Sequence, residues 1–104
     1  MERLVKGDII VLPFPFSDLS SVKKRPALII TNLKGDDFIL AQITSQEKKD
    51  KYCIKLNNIL NINSYIRINK IFTADKSIML YKIAKLKKKK LKEVEDRLIS
   101  MFRE

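Results

Sequence analysis

Residues Arg25–Ser45 read RPALIITNLKGDDFILAQITS, and their reading decides the fold. Arg25–Thr31 carries the apolar run Ala27–Ile30, the pattern of a buried strand. Asn32–Asp37 supplies Gly35 and Asp36 for a chain reversal. Phe38–Ser45 then resumes as a strand. Ile39, Ala41 and Ile43 share one of its faces; Phe38, Leu40, Gln42 and Thr44 share the other, which turns from apolar to polar towards its end. Two strands joined by a reversal predict a β-hairpin with a longer loop. Pairing of that kind sets the start of the first strand, Arg25, near the end of the second, Thr44.

Outward from this hairpin the pattern stays β-rich. Upstream, Gly7–Phe16 (GDIIVLPFPF) begins as a strand at Ile9–Leu12, and Pro13 and Pro15 then remove two backbone donors. That end is expected to be an edge or an exit from the sheet. Ser17–Lys24 is polar turn chemistry and reads as a surface loop. Downstream, QEKKDK is an exposed connector, Tyr52–Leu56 a short strand and NNILNINS an asparagine-rich turn. Tyr65–Thr73 alternates Ile66 and Ile68 with Arg67 and Asn69 as a further strand, and Ser77–Leu86 contains a last short one.

From Lys87 the spacing changes to that of a helix. Leu91, Val94, Leu98 and Met101 recur on one face, joined by Ile99 and Phe102. Lys89 with Glu93, Lys92 with Asp96, and Glu93 with Arg97 stand at i, i+4. No Ser, Thr, Asp or Asn caps its start, and lysines 87–90 crowd the positive end of the dipole. Several short strands followed by one amphipathic helix predict a mainly β fold with a C-terminal α-helix, a small bent barrel-like sheet closed by that helix. The 104 residues fit one domain, 1–104, around one core.

Composition narrows the chemistry. The net charge is +10, from 22 Lys plus Arg against 12 Asp plus Glu, which favours a polyanionic partner, nucleic acid before membrane. There is no histidine, so Ser-His, Cys-His and His-based acid–base mechanisms are excluded, along with His-rich metal sites. Cys53 has no cysteine partner and reads as a reduced thiol of a cytoplasmic protein. No segment approaches the ~18 to 20 apolar residues that cross a bilayer, so no membrane partner is expected.

Taken in order, GDIIVLPFPFSDLS, KKRPALII, FILAQITS, SYIRINKIFTADKSI and the helix resemble the MazF/PemK family of toxin endoribonucleases of type II toxin–antitoxin systems, in its PemK-like branch. The resemblance covers nearly the whole chain. It implies an SH3-like β-barrel, a homodimer, no cofactor, and metal-independent cleavage of single-stranded RNA. It also implies a cognate acidic antitoxin that lays a peptide across the RNA groove. The family's catalytic arginine and threonine carry over to Arg25 and Thr44. Lys70 stands where relatives often have the glutamine of Gln-x-Arg-Thr, and Phe72 takes the place of that arginine.

The residues themselves suit this role. RNA cleaves when its 2′-OH attacks the adjacent phosphorus, and negative charge gathers on the phosphoryl oxygens. A fixed guanidinium and a hydroxyl donor stabilise that charge. Arginine presents a planar fork and stays charged. Pro26 holds Arg25 extended at the mouth of the buried strand. Further candidates for RNA contact are Lys23, Lys24 and Lys70 through phosphates, and Ser17 and Ser45 beside the catalytic blocks. Phe14 and Phe16 offer either a base-stacking face or a core edge. Asp18 and Asp75 are loop carboxylates that serve either as base or as turn and cap residues. The run Lys85–Lys90 reads as an extension of the RNA track or as a solvated helix end. The competing function is a non-catalytic SH3-like barrel that binds RNA or a protein.

Overall fold

The computed structural model describes residues 3–15, 22–57, 60 and 62–104. Six strands, β1 (Asp8–Pro15), β2 (Val22–Asn32), β3 (Asp37–Thr44), β4 (Cys53–Leu56), β5 (Ser64–Asp75) and β6 (Tyr81–Lys85), precede one helix, α1 (Lys88–Phe102). They form one antiparallel sheet in the order β4-β5-β3-β2-β1-β6, curled into a half-barrel. This is the mainly β fold with a C-terminal helix that the sequence predicts. The central hairpin β2–β3 closes through Leu33 N–H on the Asp37 carbonyl at 2.9 Å, with Gly35 at φ 85°. That left-handed backbone is open to glycine at little steric cost.

Strand alternation feeds two cores. One face of the sheet buries Ile9, Leu28, Ala41, Ile43 and Ile66 against Val94 and Leu98 of α1. The other encloses Ile10, Leu12, Ala27, Ile29, Phe38 and Leu40, capped by Leu4 and Met79. Both faces of the inner strands are therefore apolar, which is why Ala27–Ile30 reads as a continuous run rather than an alternation. Between Ala41–Ile71 and Gln42–Arg67 the β3–β5 register jumps, so that Ile68, Asn69 and Lys70 bulge out of β5. A bulge of this kind bends its strand and raises the local twist.

The prolines of β1 behave as the missing donors require. The strand continues through Pro15, paired with β2 as far as Pro15–Val22, while its pairing with β6 stops at Val11. Pro13 and Pro15 thus sit where β1 has a neighbour on one side only. Val22–Lys24 belong to β2 rather than to the expected loop. Their polar composition suggests a turn, yet pairing to the proline stretch extends the ladder through them. A 3-10 turn at Lys76–Ile78, which the sequence reading missed, precedes β6.

Gly7 and Asp8 form the joint between the N-terminal segment, the sheet and the helix. Gly7 N–H donates to the Ile29 carbonyl at 2.9 Å, and its own carbonyl accepts from Leu86 N–H at 2.8 Å. Its φ is 94°, and a Cβ there would lie 3.3 Å from Leu91 Cδ2. The fully buried Asp8 accepts from Val5 N–H at 2.9 Å and faces Lys82 Nζ at 3.3 Å. Lys87, the N-cap of α1, makes no side-chain cap bond, as expected. Lys92 pairs with Asp96 at 3.5 Å, whereas Glu93 meets Lys90 at 3.1 Å and Arg97 reaches the Lys51 carbonyl. No described helix is long and apolar enough to cross a membrane.

Candidate active site

Arg25 and Thr44 come together through strand register. β2 and β3 pair Leu28 with Ala41 and Ala27 with Gln42. Carried two residues further, this register sets Arg25 opposite Thr44 on one face of the sheet, and opposed side chains of a ladder lie about 5 Å apart at Cβ. Both line a pocket of about 490 Å³ together with Ser45. Thr44 Oγ1 accepts from Gln46 N–H at 3.2 Å, a short turn that fixes the hydroxyl oxygen. The hydroxyl proton remains for donation, since that bond occupies only a lone pair.

The rest of the pocket was not foreseen. Ser64 lines it, 2% exposed, with Oγ donating to the Ile62 carbonyl at 3.2 Å. Ile43, Leu60, Ile62 and Ile83 make an aliphatic wall around the polar group. Ile62 and Ile83 are exposed, so the wall borders solvent on that side. Ser64 opens the SYIRINK block, and its position before an alternating strand was the available signal. Leu60, Ile62 and Ile83 look in sequence like ordinary loop and strand residues. Among the described residues no carboxylate lines this pocket.

The other candidates disperse. Phe14 packs edge-to-face on Phe72, ring centres 5.2 Å apart, against the second core. Lys23 and Lys24 are exposed on β2, opposite Phe14 and Pro13. Lys23 shares the face of Arg25 by strand alternation. Lys70 is exposed in the β5 bulge. Asp75 stands opposite Asp37, the length of β3 from Thr44, which is roughly 20–25 Å. There its carboxylate accepts from Ser77 N–H at 2.7 Å, and hydrogen bonding to the Ser77 side chain, then to this N–H, holds its pKa below the usual range. Phe16, Ser17 and Asp18 lie outside the described residues.

A second polar constellation lies on the same face as Thr44. Arg67, 8% exposed, presents both terminal nitrogens to Asp50, at 2.8 and 2.9 Å. The Arg67 guanidinium holds the Asp50 carboxyl below its ordinary pKa, and Asp50 in turn raises that of Arg67. The alternation Ile66, Ile68 against Arg67, Asn69 shows that Arg67 leaves the helix-side core, but not what it meets.

Crystal structures of MazE–MazF and of MazF from Deinococcus radiodurans match the chain with TM-scores of 0.83 and 0.80, at 19% and 20% identity. The matches cover 98% and 100% of this chain and 97% and 100% of theirs. An endoribonuclease in complex with its cognate antitoxin from a mycobacterial species matches with a TM-score of 0.78 at 13% identity, over 96% of this chain and 95% of that one. At such identities the likeness establishes the fold. No curated protein matches the chain by sequence. The model of the PemK-like, MazF-like toxin of type II toxin–antitoxin systems matches residues 5–102. That match spans every strand and the helix, and the chain belongs to this toxin family.

Proposed function

We propose that the toxin is an endoribonuclease that cuts single-stranded RNA by attack of a 2′-OH on the adjacent phosphorus. The 2′ oxygen bonds to phosphorus and gives its proton to solvent water. The 5′ oxygen leaves and takes one up, giving a 2′,3′-cyclic phosphate and a 5′-hydroxyl end. Arg25 places its charge against the phosphoryl oxygens, and the Thr44 hydroxyl donates a hydrogen bond to one of them. This charge stabilisation uses side chains alone and needs no metal. The observation that carries the reading is the convergence of Arg25 and Thr44 on one face and in one pocket.

Lys23, Lys24 and Lys70 hold flanking phosphates, and the toxin works in the cytoplasm as a homodimer. Ile99 and Phe102 on the helix and Tyr81 on β6 are exposed apolar side chains available to a second copy. A cognate antitoxin, as in the MazE–MazF complex, silences it. The test is cleavage of a single-stranded RNA panel in EDTA by the wild type and by Arg25→Ala. The wild type should cut, and the variant should be slower by about 100- to 1,000-fold while retaining its circular dichroism spectrum. RNA binding without cutting by the wild type would point to a non-catalytic barrel, and full activity of folded Arg25→Ala would remove that residue from the mechanism.

A further inference from the structure

We infer that the Arg67–Asp50 pair is a positioning device for the catalytic corner, holding down the far end of the loop that fixes Thr44. The inference rests on the reading of Thr44 as a catalytic group. β3 ends at Thr44, and residues 45–51, SQEKKDK, return towards β4 without one apolar side chain. Hydrophobic burial has nothing to grip there, so polar ties must fix the path. Gln46 N–H on Thr44 Oγ1 makes the tie at the near end. At the far end Asp50 grips Arg67 with both oxygens, and its Oδ1 also accepts from Tyr52 N–H at 2.9 Å.

Arg67 is well placed for this. It stands opposite Gln42 on one side and Cys53 on the other, so it bridges β3, β5 and β4. Two residues along β5, about 7 Å, Tyr65 pairs with Thr44 itself. The Arg67 side chain is 10% exposed and that of Asp50 38%, and bidentate pairing with a carboxylate sets orientation as well as distance. An ion pair with one partner exposed adds little net stability of its own. What it provides is registry, and here the element registered is the loop that begins at the catalytic hydroxyl. Arg67 is thus a positioning residue that acts through Asp50 and Gln46 on Thr44.

The experiment compares wild type, Arg67→Met, Asp50→Asn and the reversed pair Asp50→Arg with Arg67→Asp. It measures kcat and KM on single-stranded RNA, and hydrogen exchange at the Gln46 amide and at the β1 and β2 amides. Loosening the corner should lower kcat about tenfold with KM nearly unchanged, since positioning acts on the transition state. Exchange at Gln46 should rise about tenfold in both single variants while the β1 and β2 amides keep their protection. The reversed pair should restore both readouts. Wild-type kcat and Gln46 protection in folded Arg67→Met would overturn the inference, as would a loss that spreads equally to the β1 and β2 amides. Should Arg67→Met fail to fold, Asp50→Asn, altered at the exposed end of the pair, decides by the same criteria. If the wild type does not cut RNA, the endoribonuclease reading fails, and Gln46 exchange alone then judges the positioning role.

Discussion

A guanidinium contributes to catalysis in proportion to how firmly it is placed before substrate arrives. Pro26 and the buried run behind it place Arg25, and a backbone amide places the oxygen of Thr44. Thr44→Val preserves the shape and removes the hydroxyl. The expected loss is about 100-fold or more in kcat at unchanged melting temperature, read by single-turnover cleavage. Equal rates would leave Thr44 a strand residue. The nearness of Arg25 and Thr44 was legible because the two residues border apolar runs and the hairpin brings those ends together, whereas the catalytic role proposed for them came from the family resemblance. Asp75 was only half legible. The cap reading holds, since its carboxylate caps the 3-10 turn through Ser77, but it ends β5 instead of standing in a loop. Asp50 and Arg67 were illegible as a pair, since a connector of polar residues gives no sign of where it folds back.

Elements tell a related story about boundaries. The hairpin, the succession of strands along the chain and the helix followed from periodicity, which buried elements carry strongly, whereas the order of strands in the sheet did not. The ends of β1 and β2 did not, because cross-strand pairing extends them through prolines and lysines that favour no strand by themselves. Two glycines separate backbone strain from packing. Gly7 and Gly35 both have left-handed backbone, but a Cβ meets Leu91 only at Gly7 and open space at Gly35. Gly35→Ala should cost about 1 kcal/mol, the strain alone, and Gly7→Ala about 2 kcal/mol because Leu91 must shift as well. Urea melts should therefore order the proteins wild type, Gly35→Ala, Gly7→Ala. The reverse order would mean that the joint between β1 and α1 relaxes freely.

At the scale of the whole molecule, charge should govern the proposed encounters with RNA and with an inhibitor. Each chain of 12.1 kDa carries +10, and a homodimer doubles both. Sedimentation at micromolar concentration should show the doubled mass; a lone 12.1 kDa species would contradict the dimer. RNA held by its phosphates releases counterions, so affinity should fall steeply with salt, by a slope of about 0.7 in log K per phosphate contact on a single strand. Lys23 is exposed on the face of Arg25, and Lys23→Gln should flatten that slope by about 0.7 while leaving the preferred RNA word unchanged. An inhibitor competing for the same surface must answer the same charges. It should be an acidic segment, disordered until bound, whose carboxylates meet Arg25 and Lys23 and whose apolar side chains meet Ile62 and Ile83. RNA and antitoxin then exclude one another, and antitoxin binding weakens with salt and with Arg25→Ala as RNA binding does. Fluorescence competition with labelled RNA reads both effects. A stable ternary complex with RNA still at Arg25 would locate inhibition on another face of the toxin.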